Sequence, residues 1–162
     1  MFTIRPAEAD DRAAIIDIFL AVVRPGDSYP FPPDTTADEA ERLWLAPTHR
    51  VHVAENAEGH MVGHFYLRAN QVGLGDHVAN AGFMVEPGLQ GRGAGRAMGE
   101  FALEEARRLG FQAMQFNFVV ATNEASLRLW QSLGFQIVGT SPKAFRHAGD
   151  GLVDVHIMHR AL

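Results

Sequence analysis

Apolar residues recur along this chain with two different periods. Ile15, Ile16, Phe19 and Val22 or Val23 fall at helical spacing, so residues 7–23 predict a helix behind a short strand over residues 2–5 and Pro6. Residues 24–36 break the pattern. Pro25, Gly26, Asp27, Pro30, Pro32 and Pro33 exclude regular structure there, yet Tyr29 and Phe31 put two aromatics in the loop, as a pocket wall would. Thr36 with Glu39 three residues on is a capping-box pattern leading into Ala40, Leu43 and Trp44 on a short helix.

The period then shortens. Residues 51–55 and 61–68 read as strands around a hairpin turn at 56–59, and residues 77–86 as a further strand that Pro87-Gly88 ends. Met98, Phe101, Ala102, Ala106 and Leu109 share one face of a helix over residues 93–109, stopped by Gly110. A strand over 111–120, a helix over 123–133 closed by Gly134, and strands at 135–140 and 152–159 complete the order β-α-α-β-β-β-α-β-α-β-β. That order predicts a mixed α/β fold, with a largely antiparallel central sheet flanked by helices and one domain over residues 1–162.

Composition narrows the chemistry. With 47% hydrophobic and 20% charged residues the chain can bury a sizeable core. A net charge of −5 without a basic stripe argues against nucleic acid or an anionic membrane as partner and for small molecules. Lys143 is the sole lysine, which removes a Lys-centred phosphate loop and disfavours Schiff-base chemistry. The absence of cysteine removes disulfides, thiolate metal sites and an acyl-cysteine intermediate. Among the histidines, His60/His64 span a turn and a strand and His156/His159 point to opposite strand faces, so no metal site is expected. The N-terminal residues lack a signal-peptide pattern, and the apolar run over 15–23 is far shorter than the roughly 20 residues of a membrane span, so a cytoplasmic protein is expected.

The densest signal is Gln90-Gly91-Arg92-Gly93-Ala94-Gly95-Arg96, between a strand end and a helix start. Glycines let the backbone turn tightly and approach a ligand, and the free N–H groups of the helix N-terminus favour a phosphate. The run lacks the Lys-Ser/Thr of a Walker loop, and Arg96 or Met98 stands where a dinucleotide fingerprint needs its last glycine.

What remains, Gln/Arg-x-x-Gly-x-Gly/Ala, resembles the pyrophosphate loop of the GNAT (GCN5-related) N-acetyltransferases. The segment Asn123-Glu-Ala-Ser-Leu-Arg-Leu-Trp-Gln-Ser-Leu-Gly-Phe135 is similar to that family's second signature, an Asn-led helix ending in Gly-Phe, and the element order agrees. The resemblance implies acetyl-CoA as acetyl donor, without a metal. Met84 and Val85 would offer backbone hydrogen bonds to pantetheine. Gln90, Gly91, Gly93, Ala94 and Gly95 would cradle the pyrophosphate, with Arg92 and Arg96 supplying charge. Asn123, with Ser126, would either contact the pantetheine arm, cap its helix, or do both.

Trp130 stands where the family often has a tyrosine that protonates the leaving thiolate; it would pack on the thioester arm or simply in the core. No carboxylate lies within residues 77–85, leaving Asp76, Glu86, His64 and His77 as open choices for a base.

The runs Asn80-Ala-Gly-Phe-Met-Val and Phe116-Asn-Phe-Val-Val-Ala-Thr-Asn123 look like the branch that acetylates azetidine-2-carboxylate and related proline analogues. On that likeness Tyr29, Phe31, Asn80 and Asn117 would bind the acceptor, with Asn117 and Asn123 in catalytic roles; otherwise the two strand amides satisfy backbone groups where strands part. The expected function is direct acetyl transfer to a small amine such as an amino or imino acid, with a homodimer compatible. A non-catalytic acyl-CoA-binding or sensing module is the alternative, and a nucleotide-dependent enzyme a third class.

Overall fold

In the computed structural model, which describes residues 1–162, strand β1 (Thr3–Pro6) leads through a 3-10 turn (Ala9–Asp11) into helix α1 (Arg12–Val23). The α-helix starts five residues later than its apolar spacing suggests because Asp11 accepts from the Glu8 N–H at 2.7 Å and pairs with Arg5. These side chains hold the backbone in a tighter turn. Helix α2 (Ala37–Trp44) begins at the expected box, with the Thr36 hydroxyl accepting from the Glu39 N–H and the Glu39 carboxylate from the Thr36 N–H.

Strands β2 (Arg50–Glu55), β3 (Met61–Ala69) and β4 (Val78–Val85) form a meander. Helix α3 (Ala94–Arg108), strand β5 (Ala113–Val120), helix α4 (Glu124–Ser132) and strands β6 (Gln136–His147) and β7 (Gly151–Ala161) follow. The seven strands make one sheet in the order β1-β2-β3-β4-β5-β7-β6, and every neighbouring pair is antiparallel except β4 and β5.

That parallel pair positions the site. Its ladder extends only through Val78↔Ala113 and Ala79↔Met114, after which the strands diverge. The cause lies on the other edge of β5. Phe116 pairs with Met158 and Val119 with His156, so Asn117 and Phe118 together oppose Ile157 alone, and such a bulge bends its strand.

Strand alternation sends residues to two cores. Phe65, Leu67, Ala79 and Ala81 pack with Met98, Ala102 and Ala106 of α3, while Met84 joins Ile15, Phe19 and Trp44 under α1 and α2. Burying each large apolar side chain contributes about 1.5–3 kcal/mol. On the α1/α2 side Gly82 permits a close approach: a Cβ there would lie 2.6 Å from Tyr66 Cε1 and 3.0 Å from Trp44 Cη2.

The last hairpin is longer than its sequence suggests. Ser141-Pro142-Lys143 reads as the end of a strand, but β6 continues to His147 by a bulge in which residues 142–144 oppose Asp154. Lys143 takes φ 53°, and its N–H donates to the Asp154 carboxylate at 2.9 Å, replacing the lost ladder bond. The hairpin tip reaches the proline-rich loop, where the Ala148 N–H donates to the Gly26 carbonyl at 3.0 Å. No helix is long and apolar enough to cross a membrane.

Candidate active site

The divergence of β4 from β5 opens a cavity of about 880 Å³ that runs from the glycine loop to the aromatic loop. At one end lie Gln90, Gly91, Gly93, Ala94, Gly95 and Arg96. Gly91 and Gly93 have φ of +76° and +93°, values an L side chain rarely adopts, and Gly93 immediately precedes the first turn of α3. The loop is braced by Gln90, whose Oε1 accepts from the Gly88 N–H at 2.7 Å. Backbone N–H groups at the start of a helix beside side-chain-free glycines fit a diphosphate. Arg96 reaches Glu100 at 3.4 Å and donates to Ser132 Oγ at 2.7 Å. Arg92 is placed differently from the expectation: it lines a separate cavity of about 280 Å³ beside Phe2 and Asn56.

The middle of the cavity is lined by Met84 and Val85 on one side and by Asn123, Ser126 and Trp130 on the other. Asn123 caps α4, its Oδ1 accepting from the Ser126 N–H at 3.2 Å. Trp130 is 7% exposed, with ring centroids 4.8 Å from Phe83 and 4.7 Å from Phe116, so it belongs to the core and to the cavity wall together.

Tyr29 and Phe31 line the far end, ring planes stacked at 5.8 Å, and Phe31 lies 5.2 Å from Phe19 of α1. The aromatic loop is therefore anchored in the core beneath it. The Tyr29 hydroxyl donates to the Phe83 carbonyl and accepts from the Phe83 N–H at 3.0 Å, occupying the two backbone groups that a continued β5 would have paired. Burial pushes its phenol well above the usual range and keeps it neutral.

Asn80 and Asn117 also line the cavity, in a shared network. The buried Asn80 amide donates to the Gln115 carbonyl at 3.1 Å, satisfying a backbone group just past the last ladder pair, and to Asn70 Oδ1 at 3.2 Å. The exposed Asn117 donates to the same Asn70 oxygen at 2.7 Å and accepts from Gln115 Nε2 at 3.0 Å.

The four residues left open as bases all lie outside the cavity lining. His64 is fully buried against Trp44 at 5.2 Å with neither ring nitrogen hydrogen-bonded. Desolvation drives its pKa down to about 3, which the nearby Ile15 backbone offsets only in part. Asp27 is the carboxylate that does line the cavity.

Sequence reasoning missed Tyr66, Arg68 and His147, which also line it. Arg68 carried a signal, a charge on a strand otherwise rich in buried residues; His147 carried none, because only the long hairpin brings it near. The Nδ1 of His147 accepts from the N–H groups of Gly149 and Asp150, both at 3.0 Å, so its neutral form presents Nε2–H as a donor.

Known proteins share this fold. A GCN5-related N-acetyltransferase structure from Kribbella flavida superposes with a TM-score of 0.94 at 43% identity, covering 99% of this chain and 98% of that one. The structure of yncA from Salmonella typhimurium, solved with its cofactor acetyl-CoA, gives a TM-score of 0.83 at 28% identity over 100% and 94% of the two chains. The N-acetyltransferase aca1 of Schizosaccharomyces pombe is 40% identical over 98 residues, 60% of this chain, and the match spans only 47% of that relative. The family model described as "Acetyltransferase (GNAT) family" matches residues 13–135, and the chain, with the fold of that family, belongs to the GNAT N-acetyltransferases.

Proposed function

We propose that this protein, as one domain over residues 1–162, transfers an acetyl group from acetyl-CoA directly to the nitrogen of a small amine, an amino or imino acid. The observation that carries this reading is the continuous cavity, with a phosphate-suited glycine loop at one end and an aromatic and amide pocket at the other. The acetyl-CoA solved with the related yncA supports the choice of donor.

The donor supplies a thioester. The acceptor nitrogen attacks its carbonyl carbon, the N–C bond forms, the C–S bond breaks, and CoA leaves as the thiolate. A thiol with pKa near 8.5 leaves at neutral pH without a proton from Trp130, whose indole N–H is far too weak an acid to give one. The β5-facing edge of β4 is open past Ala79 except where Tyr29 takes the Phe83 groups. That edge and the capped start of α4 would hold the two substrates in one orientation, which is where most of the acceleration in such a transfer arises. In this reading Asp27, the exposed carboxylate of the cavity lining, would take the amine proton.

The test is release of free CoA thiol from acetyl-CoA across a panel of amino acids, imino acids including azetidine-2-carboxylate, peptides and polyamines. Turnover confined to small amino or imino acids is expected. Turnover on peptides or spermidine alone would overturn the acceptor class, and tight acetyl-CoA binding with no turnover would favour an acyl-CoA-binding module.

A further inference from the structure

Two arginines line the cavity, and they differ in what holds them. Arg96 is ion-paired to Glu100 and bonded to Ser132. Arg68 has no carboxylate within ion-pair distance, although Arg5, Arg12, Arg107, Arg108 and Arg128 all do. Its Nε is shielded from solvent and has no hydrogen-bond partner. The Tyr66 hydroxyl is a neutral partner, its phenol raised by burial and lowered in part by the guanidinium. An arginine with five donors held partly out of water without a carboxylate costs stability unless something completes it.

Its neighbours say what that is. Arg68 sits opposite Asn80 in the β3–β4 register and on the same strand face as Tyr66, so its side chain adjoins the Asn80–Asn70–Asn117 network. The sole carboxylate in the lining is the exposed Asp27, so the part-buried Arg68 is the cation that adjoins the neutral amides. A planar, forked cation beside amides is the geometry that binds a carboxylate through two parallel hydrogen bonds. A purely cationic acceptor, such as a polyamine, brings no group that completes Arg68.

We propose that Arg68 binds the carboxylate of the acceptor and so selects α-amino or α-imino acids over their neutral derivatives. The proposal rests on the acetyl-transfer reading for the location of the acceptor, and its test separates the two. Wild type, Arg68→Gln and Arg68→Lys are assayed with amino and imino acids, azetidine-2-carboxylate among them, each beside its carboxamide. Acceptor binding is followed by calorimetry in parallel with CoA release.

The expected result is that Arg68→Gln lowers kcat/KM for the acids by roughly ten- to a hundredfold, the scale of a charged hydrogen-bonded pair. The carboxamides should change by less than about threefold on the same scale, acetyl-CoA affinity should hold, and Arg68→Lys should recover part of the loss. Equal losses on acid and carboxamide, or none, overturn the role of Arg68 and leave acetyl transfer standing. Binding of an acid that is lost in Arg68→Gln, without turnover in any variant, supports Arg68 and sinks the transferase reading. Failure of every acid to bind or react overturns Arg68 outright.

Discussion

The two ends of the cavity are built in opposite ways. The glycine-loop end comes from one continuous stretch, residues 84–96, with Ala125, Ser126, Leu129 and Trp130 of α4 set against it. The other end, where the proposed acceptor would sit, gathers Tyr29 from a loop, Tyr66 and Arg68 from β3, Asn80 from β4, Asn117 from the β5 bulge and His147 from the tip of β6. The first is backbone chemistry, N–H groups exposed by local conformation. The second is side-chain chemistry that exists only when five distant segments have packed. A contiguous site tolerates change everywhere except in its own backbone, whereas an assembled site depends on the polar groups that join its parts.

The sharpest break of that contrast is Gly93→Val. Space is available, since a Cβ would meet only Phe2 Cε2 at 3.7 Å, but φ of +93° is strained for any L residue and worse for a β-branched one. We expect acetyl-CoA affinity to fall by roughly a hundredfold or more, the sum of about 1–2 kcal/mol of backbone strain and the lost approach of a phosphate, read by calorimetry. Affinity within a factor of a few would remove the loop from the donor site.

Acid should next attack the layer beneath the acceptor end. His64 is neutral when folded, with a pKa near 3 against 6.5 for the free side chain, so the unfolded chain binds the extra proton between those values. Stability is complete above about pH 6.5 and falls as pH drops toward 3, at a slope approaching about 1.4 kcal/mol per pH unit. Burial lowers His52 in the same direction, while Asp11, held down by Arg5, adds its loss only below the carboxylate range. Urea unfolding at about pH 7 and about pH 4.5 should show the limb, and His64→Leu should flatten it. An unchanged slope in that variant would show that His64 is not the group responsible.

Asn117→Ala should lower turnover by roughly ten- to a hundredfold while leaving acetyl-CoA affinity nearly intact, because an acceptor held by this amide would be left with an unpaired polar group in the filled cavity, at a cost of about 1–3 kcal/mol. Equal losses in both would mean that the two ends are not separable. Trp130→Tyr should matter least. Turnover should stay within about threefold and rise relative to wild type at lower pH, where a phenolic proton helps the thiolate leave. Complete loss in a folded variant would assign Trp130 to substrate placement.

Much of the fold was legible along the chain because its signals are local. The capping box at Thr36, the glycine stops at Gly110 and Gly134 and the alternating strands lie where their spacing puts them. The extension of β6 was not, because Pro142 breaks a strand in isolation and only the Asp154 side chain, from the partner strand, repairs the ladder. The same division runs through the site. Gly91 and Gly93 could be read from spacing, since their role is conformational and contained within a few residues. The role of Arg68 depends on what does not lie beside it, and a sequence does not display the absence of an ion-pair partner.

The sequence by itself therefore determined the order of elements, the glycine loop at the start of α3 and the Asn123 cap, for these rest on dihedral preference and on hydrogen bonds spanning a few residues. Only the tertiary structure decided that β4 and β5 part after Ala79 and Met114 and that Tyr29 occupies the Phe83 backbone groups there. It also decided that His64 is sealed and neutral and that Arg68 lines the cavity with its Nε unbonded and no carboxylate in reach. These outcomes depend on which distant groups come within hydrogen-bonding distance and how much water is excluded, and both are set by packing and not by position in the chain.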